Sequence, residues 1–220
     1  MDLRSGALEE LLSYFAAGRL QPALHALVET HLQLSPASRR FLQAFEDAAS
    51  LQLDADELVG LADRDASLAA IFASPAPVFA ASPSLGGDVC PAPLRVLMGD
   101  HGNRDLHALP WRRFLPAVKR VPIDAGPGVG EVNFYWIKAG KRLPWHTHAG
   151  QEITLVLRGG FSDITGHYVH GDIAIADADI EHRPIADSDE DCICFAVTDA
   201  PLLLTGPVGR IVQRLLGGRH

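Results

Sequence analysis

Residues 140–159, GKRLPWHTHAGQEITLVLRG, give the clearest indication of the fold. His146 and His148 are two residues apart, so on an extended segment their side chains point to the same side. Glu152 follows four residues later and can reach the same point once the chain turns at Ala149-Gly150. Imidazole nitrogens and a carboxylate oxygen suit zinc, iron, manganese or nickel at roughly 2.0–2.2 Å. The stretch therefore predicts a divalent metal site.

A fourth ligand has to come from elsewhere in the sequence, and His182 in the segment IEHRP at 180–184 is the natural choice. We expect one divalent transition metal per chain, with zinc as the leading candidate and manganese, iron and nickel as alternatives. The expected ligands are three histidines and one glutamate: His146, His148, Glu152 and His182. Five further histidines have no partner pattern and are interpreted as surface or turn residues: His101, His107, His167, His170 and His220.

The carboxy-terminal half shows the two-residue period of β-strands. Apolar residues alternate at 132–137 and 153–157, and another strand is expected at 192–197. Turn signals such as Gly159-Gly160 lie between them. Several short strands at this spacing indicate a β-sandwich or barrel. The spacing at 207–216 is helical again and predicts a short final helix.

Residues 1–75 show the three- and four-residue spacing of amphipathic helices and predict a bundle of four or five helices. Gly18 is placed to end the first helix, and Pro22 and Pro36 fit the first turns of the next two. The third helix is expected to turn its apolar residues inward: Phe41, Ala44, Phe45, Ala48 and Leu51.

The two halves are joined by a segment at 76–93 with the proline, serine and glycine content of a linker. We expect a helical domain at 1–75, this linker, and a metal-binding β-domain with the final helix at 94–220. The predicted fold class is multi-domain α plus β, in which a small amino-terminal helical bundle is joined to an all-β barrel.

The cysteines, Cys90, Cys192 and Cys194, are odd in number and lack framework spacing, which argues against structural disulfides. Cys192 and Cys194 flank one residue of an expected strand, so both thiols face one side. Such neighbours lie roughly 6.5 Å apart, which only marginally permits a disulfide. They could form a redox element if they face the inside of the barrel, and they are small core residues otherwise.

Charge and hydropathy narrow the classes of partner. The formal net charge of −8 argues against nucleic acid as a direct partner, because phosphate binding needs a basic face. Residues 1–84 carry 11 acids and 5 bases, a balance that suits docking onto a basic protein surface. No apolar stretch approaches the roughly 20 residues of a membrane helix, and residues 1–6 lack the apolar region of a signal peptide. We therefore expect a cytoplasmic protein without a membrane partner.

The spacing in residues 140–159 resembles the first cupin motif: glycine, five residues, His-x-His, three residues, glutamate, six residues, glycine. The segment at 171–182 resembles the second motif in the subgroup ending Glu-His-x-Pro, although it lacks the Pro-x-Gly turn and the asparagine after the histidine. The resemblance implies a jelly-roll barrel of the cupin type at the carboxy terminus.

The whole chain also resembles ChrR-type anti-sigma factors, which pair a helical anti-sigma domain with a carboxy-terminal cupin. The features that carry this resemblance are FAAG at 15–18, THLQL at 30–34 and DCICFAVTDAPL at 191–202. It implies that the first domain clamps a group IV, or extracytoplasmic-function (ECF), sigma factor and keeps it off RNA polymerase. The cupin would then release the sigma factor under oxidative stress such as singlet oxygen or organic hydroperoxides.

One set of positions departs from this family. Its anti-sigma domain holds a structural zinc on an early histidine and a His-x-x-x-Cys-x-x-Cys segment. Here His31 is in register, but Ser35 and Ser38 occupy the cysteine positions and Gly6 or a neighbour replaces the early histidine. A neutral hydroxyl does not supply the soft anionic ligand that a thiolate gives zinc. We expect no zinc at these vestigial positions and interpret His31 as a core histidine.

Two other functions are left open by the residues. A site of three histidines and one glutamate could serve a metal-dependent cupin enzyme, an oxygenase or hydrolase acting on a small molecule. The sequence places no further general acid or base in the barrel. The chain could also have lost sigma binding and serve as a stress-sensing adaptor or storage-like cupin. A homodimer through the cupin is left open as well.

Overall fold

The computed structural model describes residues 3–54, 60, 62–75, 89–99, 105–126, 130–200 and 202–205. The final helix predicted at 207–216, most of the predicted linker, His101 and His220 lie outside the described residues.

Helices make up the amino-terminal part of the described chain. They are α1 (Leu3–Ala16), α2 (Pro22–Leu34), α3 (Pro36–Asp54), α4 (Arg64–Ala73) and α5 (Ala92–Leu97). Gly18 follows α1 with a φ of 64°, in the left-handed region that a β-carbon disfavours, and its N–H bonds to the carbonyl of Phe15. Pro22 and Pro36 open α2 and α3, as predicted. None of the described helices has both the length and the hydropathy to cross a membrane.

Strands follow in the carboxy-terminal part. They are β1 (Arg112–Leu115), β2 (Val118–Ile123), β3 (Glu131–Ile137), β4 (His146–His148), β5 (Glu152–Arg158), β6 (Gly160–Ser162), β7 (His167–Val169), β8 (Ile173–Ala176), β9 (Ile185–Ala186), β10 (Cys192–Thr198) and β11 (Leu202–Leu204). The largest sheet has the order β1-β2-β3-β10-β5-β8, and two smaller sheets pair β7-β6-β9 and β11-β4. The α plus β fold class and the strands expected at 132–137, 153–157 and 192–197 are confirmed.

The six-stranded sheet buries both of its faces. On the outer face, Phe134 and Phe195 pack edge to face with ring centres 4.9 Å apart, in one core with Leu12 of α1 and Leu27 of α2. On the inner face, Val156 belongs to a second core inside the barrel. Alternate residues of one strand point to opposite faces, so β5 and β10 serve both cores. Helices α1 and α2 therefore share a hydrophobic core with the sheet.

The inward orientation predicted for α3 is wrong beyond its first turns. Phe41 is partly buried, but Ala44 and Ala48 are exposed, and the side chains of Phe45 and Leu51 are 40% and 71% exposed. The physical reason is that α1, α2 and the sheet already pack against one another and cover only the start of α3. Its remaining apolar stripe lies open to solvent in the single chain.

Candidate metal centre

Two adjacent backbone segments bring the four predicted ligands together. Residues His146 and His148 lie on β4, and Glu152 opens β5 after the turn at 149–151. His182 lies on an isolated bridge opposite His146, where the two backbones exchange N–H···O bonds of 2.9 and 3.1 Å. One ligand atom from each of the four side chains lies within 4.8 Å of every other. All three histidines are buried, so the predicted cluster has a single centre inside the barrel.

Hydrogen bonds fix the tautomers of two of the histidines. The Nδ1–H of His146 donates to the carbonyl of Pro144 at 3.0 Å, and the Nδ1–H of His182 donates to Asp163 Oδ2 at 2.8 Å. A carbonyl or a carboxylate can only accept here, so both rings carry a proton on Nδ1, which leaves Nε2 as the candidate ligand atom of each. Metal-bound histidines usually have their other nitrogen held in this way.

The remaining contacts of the cluster also suit a cation. The Nε2 atoms of His148 and His182 are 3.1 Å apart, and His148 Nε2 lies 3.3 Å from Glu152 Oε2. His148 Nδ1 is buried with no hydrogen-bond partner among the described residues. A buried group of nitrogen and oxygen lone pairs is costly unless a shared proton or a cation satisfies it. The donor set and its burial therefore fit a divalent metal.

The protonation of the metal-free cluster follows from its burial. Burial lowers the pKa of His146 to about 3 and that of His148 to about 4, so both rings are neutral near pH 7. Burial also raises the pKa of Glu152 to about 7, against the opposing charge of His182 and a hydrogen bond from Thr198. The histidines are thus ready to act as ligands, whereas the carboxyl group has to give up a proton.

A small apolar cavity adjoins the cluster. Its volume is about 40 Å³, and its walls include the apolar side chains of Phe114, Ile137, Leu143 and Phe161. Its walls also include His146, Glu152 and His182, so the cavity lies directly beside the cluster.

The two neighbouring cysteines face the inside of the barrel. Cys194 lines the cavity, and the thiols of Cys192 and Cys194 are free and buried. A hydrogen bond with Cys192 and burial raise the pKa of Cys194 well above its ordinary value, so this thiol stays protonated near neutral pH. Their redox role stays a prediction.

Asp163 is a residue of the candidate site that the sequence analysis did not select. Its carboxylate is almost fully buried, and besides His182 it accepts from the hydroxyl of Thr165 and from the backbone N–H groups of Thr165 and Gly166. Burial opposes its ionisation, yet the bonds from His182 and Thr165 lower the pKa of Asp163. An aspartate in a turn after β6 resembles any other turn residue until the fold places it behind His182.

The other singled-out residues lie away from this centre. The structure brings His31, Ser35 and Ser38 together, with His31 Nε2 2.7 Å from Ser38 Oγ and the two serine oxygens 3.0 Å apart. Three of the remaining histidines lie on exposed positions, as predicted: His107, His167 and His170.

Comparisons with known proteins identify the family to which this chain belongs. Residues 102–201 match the model of the ChrR cupin-like domain. The chain is 35% identical to the anti-sigma-E factor ChrR of Cereibacter sphaeroides over 97% of its own length and 98% of that protein. This chain belongs to the ChrR family of anti-sigma factors. It is also similar to ChrR in the crystal structure of the Rhodobacter sphaeroides SigE–ChrR complex, with 34% identity, a TM-score of 0.68, and coverage of 86% of this chain and 96% of that one.

The family assignment confirms the resemblance inferred from the sequence for both the helical part and the cupin. The group of three histidines and one glutamate lies within the matched cupin-like domain.

Replacing Asp163 with asparagine should weaken metal binding by roughly 10- to 100-fold, because the charge that orients His182 and increases its basicity is removed. Competition with a chromophoric chelator measures the affinity for Zn²⁺. Asp187→Asn is the matched control, since Asp187 accepts from the exposed His167 instead. Equal affinities in wild type and D163N would contradict the assigned role.

Metal binding should release more protons at pH 6 than at pH 8. Glu152, with a pKa of about 7, is protonated at the lower pH and ionised at the higher. Its raised pKa means that the metal-free state retains this proton up to neutral pH, so the affinity rises with pH through about 7 and then levels off. Calorimetry in buffers of different ionisation enthalpy counts the protons. At pH 6, Glu152→Gln should release about one proton fewer than wild type; an unchanged count refutes this.

Proposed function

We propose that this chain sequesters an ECF sigma factor through its helical part and releases it when an oxidant acts at the metal centre of its cupin. The observation that carries the first half is the 35% identity to an anti-sigma factor over 97% of the chain, which includes helices and barrel alike. The solved relative is a ChrR chain in complex with SigE. Because sigma factors act on RNA polymerase, the proposal also places the chain in the cytoplasm.

The open apolar faces of α3 and α4 are the proposed surface for the sigma factor. Phe45 and Leu51 of α3 are exposed, and on α4 Ile71 and Phe72 are 65% and 83% exposed. Large apolar side chains left exposed on two consecutive helices are typical of a protein-binding surface. The acidic balance of residues 1–84 would add a long-range attraction to a basic partner.

The cupin is the proposed sensor. A divalent metal held by His146, His148, Glu152 and His182 would supply Lewis acidity beside the cavity. The chain's own residues keep His146 and His148 neutral, orient His146 and His182, and line an apolar cavity beside the cluster. These properties support a site that responds to small oxidants.

The shared sheet connects this sensor to the helices. Glu152 lies on the inner face, whereas its neighbour Ile153 belongs to the outer core that also contains Leu11 and Leu12 of α1. A displacement of Glu152 would therefore move side chains that pack against the helical part. Two docked states of that interface, stabilised differently by the state of the cluster, would couple the cupin to sigma binding.

Replacing Phe72 with glutamate should weaken binding of the cognate ECF sigma factor by roughly 30-fold or more, as expected for an apolar anchor buried at an interface. Surface plasmon resonance measures the affinity. Val96→Glu is the matched control, because Val96 is also 83% exposed but lies on α5. The same affinity for F72E as for V96E would place the sigma factor elsewhere.

Replacing His146 with alanine should still allow sigma binding without oxidant, at the affinity of the metal-free wild type, and should abolish release by an organic hydroperoxide, because the metal is lost while the helical surface is unchanged. Size-exclusion chromatography of the complex before and after oxidant, with metal analysis of each fraction, measures both effects. His167→Ala, an exposed histidine paired with Asp187, is the control. Wild-type release from H146A would exclude the metal centre as the sensor.

A further inference from the structure

A buried chain of hydrogen bonds joins the helical part to the cupin at His31. The Nδ1 of His31 is 2.6 Å from the carbonyl oxygen of Gly171, in the turn between β7 and β8. Its Nε2 is 2.7 Å from Ser38 Oγ, and Ser35 Oγ donates to Ser38 Oγ at 3.0 Å. His31 lies on α2, whereas Ser38 lies on the first turns of α3. These hydrogen bonds therefore link three segments: α2, α3 and a cupin turn.

The directions of these bonds are determined by their acceptors. The Gly171 carbonyl can only accept, so His31 carries its proton on Nδ1 and its Nε2 accepts from the Ser38 hydroxyl. Ser38 in turn accepts from Ser35. Burial lowers the pKa of His31, although the bond to Gly171 and the charge of Asp172 oppose this, so the neutral ring is favoured. Every polar side-chain atom of this network is satisfied without a metal.

The cupin turn that receives His31 is fixed to strand β5. The N–H of Gly171 donates to Val156 O at 2.8 Å, and the N–H of Val156 donates to Asp172 O at 3.0 Å. Gly171 has a φ of 92°, and a β-carbon there would come within 3.0 Å of Leu34 Cβ. The end of α2 and the turn thus approach so closely that the position requires glycine.

Two strands, β5 and β8, lead from this turn to the candidate metal cluster. Strand β5 begins at Glu152, four residues before Val156, and β8 runs from the turn to Ala176, which pairs with Glu152. On the other side, Ser35 and Ser38 hold the start of α3, the helix whose apolar face beyond Phe41 is open. The hydrogen bonds of His31 therefore lie between the candidate sensor and the candidate sigma-binding helix.

We propose that His31, Ser38 and Ser35 form a metal-independent latch that fixes the α2–α3 corner to the cupin turn at Gly171 and transmits the state of the metal cluster to α3. The latch itself stands on the contacts above. Its role in transmission rests on the proposed function, in which a change at the cupin alters sigma binding.

The latch is tested first in the full-length protein by NMR and hydrogen exchange. We expect ¹⁵N shifts of the His31 ring to report the Nδ1–H tautomer, with or without chelator. In Ser38→Ala, the ring loses a donor, and amides at 169–172 and 31–38 should exchange about ten-fold faster, the effect of removing one buried hydrogen bond. Ser50→Ala is the control, because Ser50 is an exposed serine of α3 whose hydroxyl donates to Asp47 O. The Nε2–H tautomer, or unchanged exchange in S38A, would overturn the latch.

Transmission is tested by measuring the affinity of the same ECF sigma factor for metal-free and Zn²⁺-loaded chain. In wild type and S50A, we expect the two affinities to differ, by a factor within the roughly 5- to 150-fold range of allosteric coupling. In S38A the factor should approach one while zinc stoichiometry is unchanged. An S38A factor equal to that of wild type overturns transmission through the latch. If metal-free and Zn²⁺-loaded wild type bind the sigma factor equally well while His31 shows the Nδ1–H tautomer, sensing at the metal and transmission are both overturned. The latch itself would still stand.

Discussion

The structure depends on a sheet whose two faces line two different interiors: the core shared with the helices and the inside of the barrel. Along β5 and β10, odd-numbered residues such as Ile153 and Phe195 pack against the helices, while even-numbered residues such as Glu152 and Cys194 face the metal centre and its cavity. A shift of either strand by one residue would exchange the two sets and destroy both. The pairing register of these central strands therefore positions the helical part and the ligands together. Neither interior can be adjusted without the other.

Hydrogen bonds explain how buried polar groups are tolerated at the candidate metal centre and at the junction of the helices with the cupin. In the candidate metal centre, Asp163 and the Pro144 carbonyl hold two imidazoles with their Nε2 atoms inward, an arrangement that suits a cation. At the junction with the helices, the His31 imidazole is satisfied on both sides by neutral partners. Similar side chains thus form a group suited to a cation in one place and a closed network of hydrogen bonds in the other. The difference arises from what faces the second ring nitrogen.

The sequence predicted those features that depend on local spacing. Two histidines at alternate positions followed by Glu152, and the alternation of apolar residues around it, were enough for the ligands of one segment and for the strands. His182 had to be chosen from a separate segment, because its bridge to His146 joins parts of the chain that are distant in sequence and leaves no local pattern. Asp163 has no such pattern either, since its role arises only when the turn after β6 closes behind the barrel. Phe45 and Leu51 show the converse limit: an amphipathic stripe specifies that a helix face is apolar, but it does not specify which molecule covers that face.

The exposed apolar residues of α3 and α4 are left uncovered in every molecule of this chain that has no partner bound. Apolar side chains of this size invite self-association and recognition by chaperones and proteases. Synthesis matched to that of the partner would avoid this, whereas molecules left without one would be removed fastest. Degradation of the unpaired fraction would then set how quickly repression returns after a stress has passed.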